Sequence, residues 1–352
     1  MKKSVKIVTY CTWKSIGSIL QAYAMTSVLN SLGYDSELLL EEKNRSPERN
    51  KSNGLKALFK HCLEFFIEKK IDIAYKKRTT FINKNIKVTY CENPEKLICD
   101  FVEDSSCVYL AGSDQIWNPK ACNPFYFLDF AKNNRCISYA ASMGNTNISQ
   151  DKISFFKDKL TNFDYISVRE KECANIISKL TSKDISVNID PTFLVNTDVW
   201  RTLGKRYNLK GNYILLYMLY WDNSYKEQII KLKKKTGLPV YAICNGLSNV
   251  YADKSLYDVG VDEFIWLIEH AKYVITSSFH GVAFSILFRK KFTPIINPKL
   301  PSRIENVLDV LGVPYVTVSE LDSTTKFNYD SIFKNIERER QKSINYLKEA
   351  IE

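Results

Sequence analysis

The chain is poor in the residues that build metal and redox centres. Only three histidines occur in 352 residues, His61, His270 and His280, and their wide spacing excludes a histidine-rich metal site. The nine cysteines are odd in number and scattered, and no CxxC pair occurs, so neither a zinc site nor a redox motif is supported and no metal is expected. Reduced thiols in a cytosolic protein account for them most simply. No run approaches the ~18 apolar residues of a membrane span. The longest, such as 214–219, have the length of a strand. No charged-then-apolar leader opens the sequence. Internal repeats and low-complexity tracts are also lacking. These absences point to a soluble protein kept in the cytosol.

A 45% hydrophobic content supports well-formed cores, and the length favours two domains. The net charge of +11 is unevenly placed: between Lys43 and Lys87 thirteen Lys/Arg stand against four Asp/Glu. Within this stretch Leu55, Leu58, Phe59, Cys62 and Phe66 recur at helical spacing. A basic amphipathic helix suits an anionic membrane surface or an acidic partner. The plainer alternative is a solvated helical face. No recognition motif accompanies the charge, so nucleic acid is not an expected partner.

Apolar, β-branched runs alternate with longer amphipathic stretches. Strands are expected at 5–10, 108–112, 136–141, 165–168, 213–219, 240–244, 273–276 and 293–296. Helices are expected at 18–32, 54–81, 149–160, 172–179, 224–236, 261–270, 281–288, 301–311 and 330–352. This alternation predicts an α/β protein with parallel, doubly wound sheets. A polar stretch around 196–210, containing Gly204, separates two such series, and the C-terminal helix is long enough to pack back across the junction.

Several strand ends carry chemistry. The run Tyr273-Val274-Ile275-Thr276-Ser277-Ser278-Phe279-His280-Gly281 leads from a strand through two hydroxyls and an imidazole into an apolar helix. Ligands of open α/β sheets bind at such places, because a helix N-terminus offers free N–H donors and partial positive charge. An anionic substrate beside His280 follows; the alternative is a buried histidine at an ordinary turn. After the first strand, Gly17-Ser18 offers a tight turn and a helix cap before Gln21, with phosphate or sugar as the ligand it would suit. In Gly112-Ser113-Asp114-Gln115-Ile116-Trp117-Asn118-Pro119, Asp114 and Gln115 suit sugar hydroxyls and Trp117 suits stacking on a pyranose. Arg169, in Ser167-Val168-Arg169-Glu170, suits a phosphate or carboxylate, or else pairs with Glu170 on the surface. Asp190, before Pro191-Thr192, stands in a similar position and could equally cap a turn.

Taken together these blocks resemble the polysaccharide pyruvyl transferase family. The resemblance rests on Gly17-Ser18-Ile19-Leu20-Gln21-Ala22-Tyr23, Ala111 through Pro119, Ile137-Ser138-Tyr139-Ala140-Ala141-Ser142, Ser167-Val168-Arg169-Glu170, Asp190-Pro191-Thr192 and Ser277-Ser278-Phe279-His280-Gly281. It implies two Rossmann-like doubly wound domains facing a cleft, similar to the GT-B glycosyltransferases. The first would span 1–200 with a basic helical insert at 43–87, the second 201–330, with a C-terminal helix at 331–352.

The implied activity moves the pyruvyl group of phosphoenolpyruvate, a donor substrate that needs no cofactor, onto a sugar of a surface polysaccharide or its lipid-linked precursor. The product is usually a ketal. Arg169, Ser277, Ser278, Gly281 and Arg303 would hold phosphoenolpyruvate. Gly17, Ser18, Gln21, Gln115, Trp117 and Asp190 would meet the acceptor. His280 would protonate C3, while Asp114 or Asp190 would orient or deprotonate the sugar hydroxyl. Ser15-Ile16 stands where many relatives have Asn-Tyr, and Ser278 where some have arginine. The basic insert would then meet anionic lipid at the cytoplasmic membrane face. Two other readings stay open: a GT-B-type glycosyltransferase using a nucleotide sugar, and a non-enzymatic sugar-binding or scaffold protein.

Overall fold

The computed structural model describes residues 2–41, 58–91, 107–131, 133–145, 147–244, 250–297, 302–321 and 326–352. The parts of two expected helices at 54–57 and 301, and Leu55 with them, lie outside the described residues. So do the side chains of Leu58, Phe59 and Cys62.

The first half is built on β1 (Ser4–Val8), β2 (Asp35–Glu41), β3 (Val88–Cys91), β4 (Val108–Ala111) and β5 (Arg135–Ser138), all parallel, in the order β3-β2-β1-β4-β5. Bridges Ile137–Tyr165 and Ala141–Val168 extend it to β6 (Ile166–Val168), which pairs with β7 (Ile185–Val187). The second half repeats the pattern with β8 (Ile214–Tyr217), β9 (Val240–Ile243), β10 (Lys254–Leu256), β11 (Tyr273–Thr276) and β12 (Lys291–Pro294), in the order β10-β9-β8-β11-β12. Strands β4 and β11 are buried at every residue, as their unbroken apolar sequences require in a sheet covered on both faces.

The helices are α1 (Ile16–Ser31), α2 (Leu58–Asn85), α3 (Gln150–Leu160), α4 (Lys171–Ile177), α5 (Thr197–Leu203), α6 (Ser224–Thr236), α7 (Val261–His270), α8 (Phe279–Leu287), α9 (Ser302–Leu311) and α10 (Tyr329–Ile351). Helix α8 is wholly buried, and apolar but for His280 and Ser285. It meets the first half through Trp200, whose ring packs on Phe284 at 4.9 Å and on Tyr23 of α1 at 5.5 Å. Trp200 belongs to α5, a helix in the stretch expected to be only a polar joint.

Two further elements cross between the halves. Helix α10 starts beside Arg289, which pairs with Asp330, and ends where the Tyr346 hydroxyl donates to Ser138 O at 2.8 Å. On α2, the Lys77 ammonium donates to Glu263 and to Asp258 O, and the buried Arg78 guanidinium donates to Val259 O and Trp13 O. The inner side of the basic helix is therefore a clasp rather than a solvated face.

In each sheet the strand order reverses between the strands that come first and fourth along the chain, β1 and β4 in one and β8 and β11 in the other. This is the switch point at which loops diverge and leave a crevice. The segments that follow β1, β4 and β11 carry most of the residues singled out from the sequence.

Candidate active site

His280 lies in the first turn of α8 and is 6% exposed. A Cβ on Gly17 would overlap its Nδ1 and lie 2.8 Å from its Cγ, so the missing side chain at the start of α1 is what admits the imidazole. On the other side of the ring, Nε2 is 3.9 Å from Asp190 Oδ2.

Asp190 is buried and heavily bonded. Its Oδ1 accepts from Thr192 N at 3.0 Å and Thr192 Oγ1 at 2.7 Å. Its Oδ2 accepts from Arg169 Nη1 at 2.8 Å and Ser113 Oγ at 3.3 Å. Arg169, 3% exposed, also donates through Nε to Glu170 Oε1 at 2.8 Å, and its guanidinium lies 4.1 Å from the centroid of the Phe279 ring. The pair with Glu170 is thus internal, part of a network with Asp190, and not a surface bridge.

Electrostatics tie these groups to Arg303 and Asp114. Burial depresses His280 below the ordinary histidine value; Asp190 and Asp114 oppose this, and Arg169 and Arg303 add to it. Burial alone would raise the Asp190 carboxyl, but His280, Arg169 and the Thr192 donors hold it below the usual range. Arg303 is lowered by burial and by the charge of Arg169, against Asp114 and Glu170. Among the described residues Arg169 Nη2, Arg303 Nε and His280 Nε2 are buried with no hydrogen-bond partner. Such unmatched groups are uncommon in folded chains and cost about 1–3 kcal/mol each.

The remaining expected residues fall elsewhere. The Ser277 hydroxyl accepts from Leu219 N and Tyr220 N, both at 2.8 Å, so it is spent on the loop after β8. Ser278 caps α8 by accepting from Gly281 N, which removes the free donor expected there. Gly281 is glycine because a Cβ would overlap Thr276 Oγ1 and lie 3.0 Å from Thr276 Cβ.

Of the expected acceptor contacts, five are corrected by burial, bonding or close packing. Trp117 is 0% exposed, stacked on Phe127 at 5.4 Å, with Nε1 donating to Tyr126 O, so no ring face is left for a pyranose. Ser18 is buried with its hydroxyl on Ser15 O, and Ser15, not Ser18, caps α1. Gln21 is buried: Nε2 donates to Thr9 Oγ1 and Tyr10 O, and Oε1 accepts from Ser113 N, which locks the loop after β1 to the loop after β4. Gly17 serves His280 and Asp190 serves the cations, as described above. Asp114 and Gln115 remain partly exposed, and Asp114 holds a positive φ of 65°.

The structure of UGT89C1 from Arabidopsis thaliana, solved in complex with UDP, superposes with a TM-score of 0.51 at 11% identity, covering 99% of this chain and 98% of that one. UDP-GlcNAc 2-epimerase from Methanocaldococcus jannaschii gives 0.49 at 11% identity, covering 96% and 92%. At such identities the first likeness speaks for the fold alone, and that fold is the GT-B arrangement of two Rossmann-like halves. No curated protein matches the chain. The family model for polysaccharide pyruvyl transferase matches residues 16–298, which takes in Gly17, Asp114, Arg169, Asp190 and His280 and leaves out only Arg303 of the converging groups. With most of its length matched, the chain belongs to the polysaccharide pyruvyl transferase family of transferases.

Proposed function

We propose that the protein moves the pyruvyl group of phosphoenolpyruvate onto two hydroxyls of one sugar, forming a ketal in a surface polysaccharide or its lipid-linked precursor. The observation that carries this reading is the set of buried nitrogens without hydrogen-bond partners among the described residues: Arg169 Nη2, Arg303 Nε and His280 Nε2. A small ligand with a phosphate at one end and a carboxylate at the other would satisfy two guanidinium groups and an imidazole together. Its charge would also offset the two arginines that depress His280.

In the reaction His280, protonated, gives its proton to C3 of the enol. C2 becomes electrophilic and takes the oxygen of a first sugar hydroxyl, whose proton passes to Asp114. A second hydroxyl then attacks C2 as the C2–O bond to phosphate breaks; its proton returns to the now neutral His280, and inorganic phosphate leaves with the proton held by Asp114. Asp190 cannot serve as the base, because two of its lone pairs face Thr192 donors and the others face Arg169 and Ser113. Its part is to hold Arg169 in place and favour the charged imidazole. General acid catalysis of this kind is worth roughly 10²–10⁴-fold in rate.

The same reading places the enzyme at the cytoplasmic face of the membrane. The described cysteines are free thiols, as suits a reducing compartment. At the outer end of α2, Phe65 and Phe66 are 53% and 62% exposed beside Lys69 and Lys70, a pairing suited to anionic lipid. No helix among the described residues is long and apolar enough to cross a membrane.

Calorimetric titration with phosphoenolpyruvate, UDP, CMP and GDP tests the donor. Binding of phosphoenolpyruvate that weakens at least tenfold in Arg303→Met, where no hydrogen bond or ion pair among the described residues is broken, is expected. Binding of a nucleotide without phosphoenolpyruvate would replace this reading by glycosyl transfer.

A further inference from the structure

Beside the reaction centre lies a shallow, open cavity of about 370 Å³ lined by Tyr10, Asp114, Gln115, Asn118, Lys120 and Ala121. This volume is within the range of small-molecule sites, near its lower end. Neither wall can drift: the buried Gln21 amide donates to Tyr10 O at 2.8 Å and accepts from Ser113 N at 3.2 Å, while Thr9 Oγ1 donates to Ser113 O at 2.7 Å.

The lining combines one aromatic face with polar groups that the protein leaves partly unused. The Tyr10 ring is half-buried and backed by Tyr126 at 4.6 Å. Tyr126 is fixed in turn, since its carbonyl accepts from the buried Trp117. Asp114 Oδ1 accepts from Gln115 N and Asn118 Oδ1 from Lys120 N, which leaves Asp114 Oδ2 and the Asn118 amide N–H groups without a partner among the described residues. Gln115 leans on Gly144, where a Cβ would lie 2.6 Å from its Cδ, so the amide is steered into one orientation. A ring platform flanked by a carboxylate and two carboxamides is the composition that recognises a pyranose: C–H groups on the ring face, hydroxyls on planar polar groups. Asp114 joins this cavity to the chemistry, because its neighbour Ser113 donates to Asp190.

We infer that Tyr10, Asp114, Gln115 and Asn118 form the subsite for the acceptor's pyranose ring, with Tyr10 taking the stacking role that Trp117 is too buried to fill. The inference rests on the pyruvyl-transfer reading for what happens to the sugar, though not for its binding. Within that reading, the hydroxyls that react are those presented to Asp114 from the ring lying on Tyr10.

The test uses the full chain and a panel of methyl pyranosides, neutral (gluco, galacto, manno) and acidic (glucuronide), followed by saturation-transfer NMR at millimolar concentration. At least one should bind, through contiguous protons of one ring face. Tyr10→Ala should weaken it about tenfold and Tyr10→Phe much less. Asn118→Ala and Gln115→Ala should weaken it by smaller factors. All of these variants should bind phosphoenolpyruvate as the wild type does. The subsite is overturned if no pyranoside binds or if Tyr10→Ala binds as tightly as the wild type. Failure of the wild type to bind phosphoenolpyruvate would instead sink the donor reading and leave the sugar result standing.

Discussion

Replacing Gly17 by alanine puts one methyl group against the imidazole on which the proposed chemistry depends. The new Cβ would lie 2.8 Å from His280 Cγ, which is 0.6 Å short of the 3.4 Å at which ordinary contact begins. The nearest atoms belong to a ring that is 6% exposed and backed by Asp190 at 3.9 Å, so it cannot swing into solvent. Overpacking of this kind costs about 1–3 kcal/mol. In a chain of this size that lowers the melting temperature by roughly 1–4 °C. A displacement near 1 Å of a proton donor costs on the order of 10²-fold in rate. Phosphate release from phosphoenolpyruvate in the presence of a glycan acceptor measures the rate, and thermal melting measures the strain. A Gly17→Ala protein with wild-type melting and wild-type turnover would refute the placement of His280 against α1.

Other perturbations have defined outcomes. Asp190→Asn keeps the shape but leaves Arg169 with one fewer buried counter-charge, so a loss of roughly 3–5 kcal/mol is expected in denaturant unfolding. Because His280 acts as an acid and its proton affinity is depressed, kcat/KM should fall as pH rises through a value below about 6.5. The same depression makes the protein lose stability as pH falls through that value, since the unfolded chain then binds the proton more readily. Phosphoenolpyruvate should move the titration of the His280 ring upward, and with three histidines in the chain its NMR signal can be assigned by one substitution. Trp117→Ala should cost about 3–5 kcal/mol, as removal of a large core ring does, rather than a selective rise in acceptor KM. Sedimentation with phosphatidylglycerol vesicles should fall in Phe65→Ser/Phe66→Ser and at 1 M salt, where the screening length drops to about 3 Å.

The sequence pattern reveals much of the scaffold because buried parallel strands are short apolar runs between polar turns. The stretch 273–281 shows this best: β11 ends at Thr276 and α8 begins at Phe279, as the change from β-branched to helical spacing suggests. Strand β2, Asp35–Glu41, escapes such reading because its apolar residues are a leucine triplet framed by acidic residues, with none of the β-branched residues that mark a strand. Helix α5 escapes because its one buried anchor, Trp200, lies among polar neighbours. At the site, residue types announce chemistry but not direction. Arg169 and His280 converge on Asp190, whereas Trp117, in an equally suggestive block, turns into the core. Tyr10 gives no local signal at all; its place beside Asp114 follows from the pairing of β1 with β4, a contact between residues far apart in the chain. Arg78, in a basic run that reads as solvated, is buried because the backbone carbonyls of Val259 and Trp13 receive it.

Mass spectrometry of a saccharide acceptor incubated with phosphoenolpyruvate and the wild-type protein tests the central claim most directly. The account predicts that the acceptor gains the mass of pyruvate less one water, with one phosphate released per sugar modified, and that His280→Gln abolishes the gain. An acceptor unchanged by phosphoenolpyruvate but lengthened by a sugar from a nucleotide donor would contradict it.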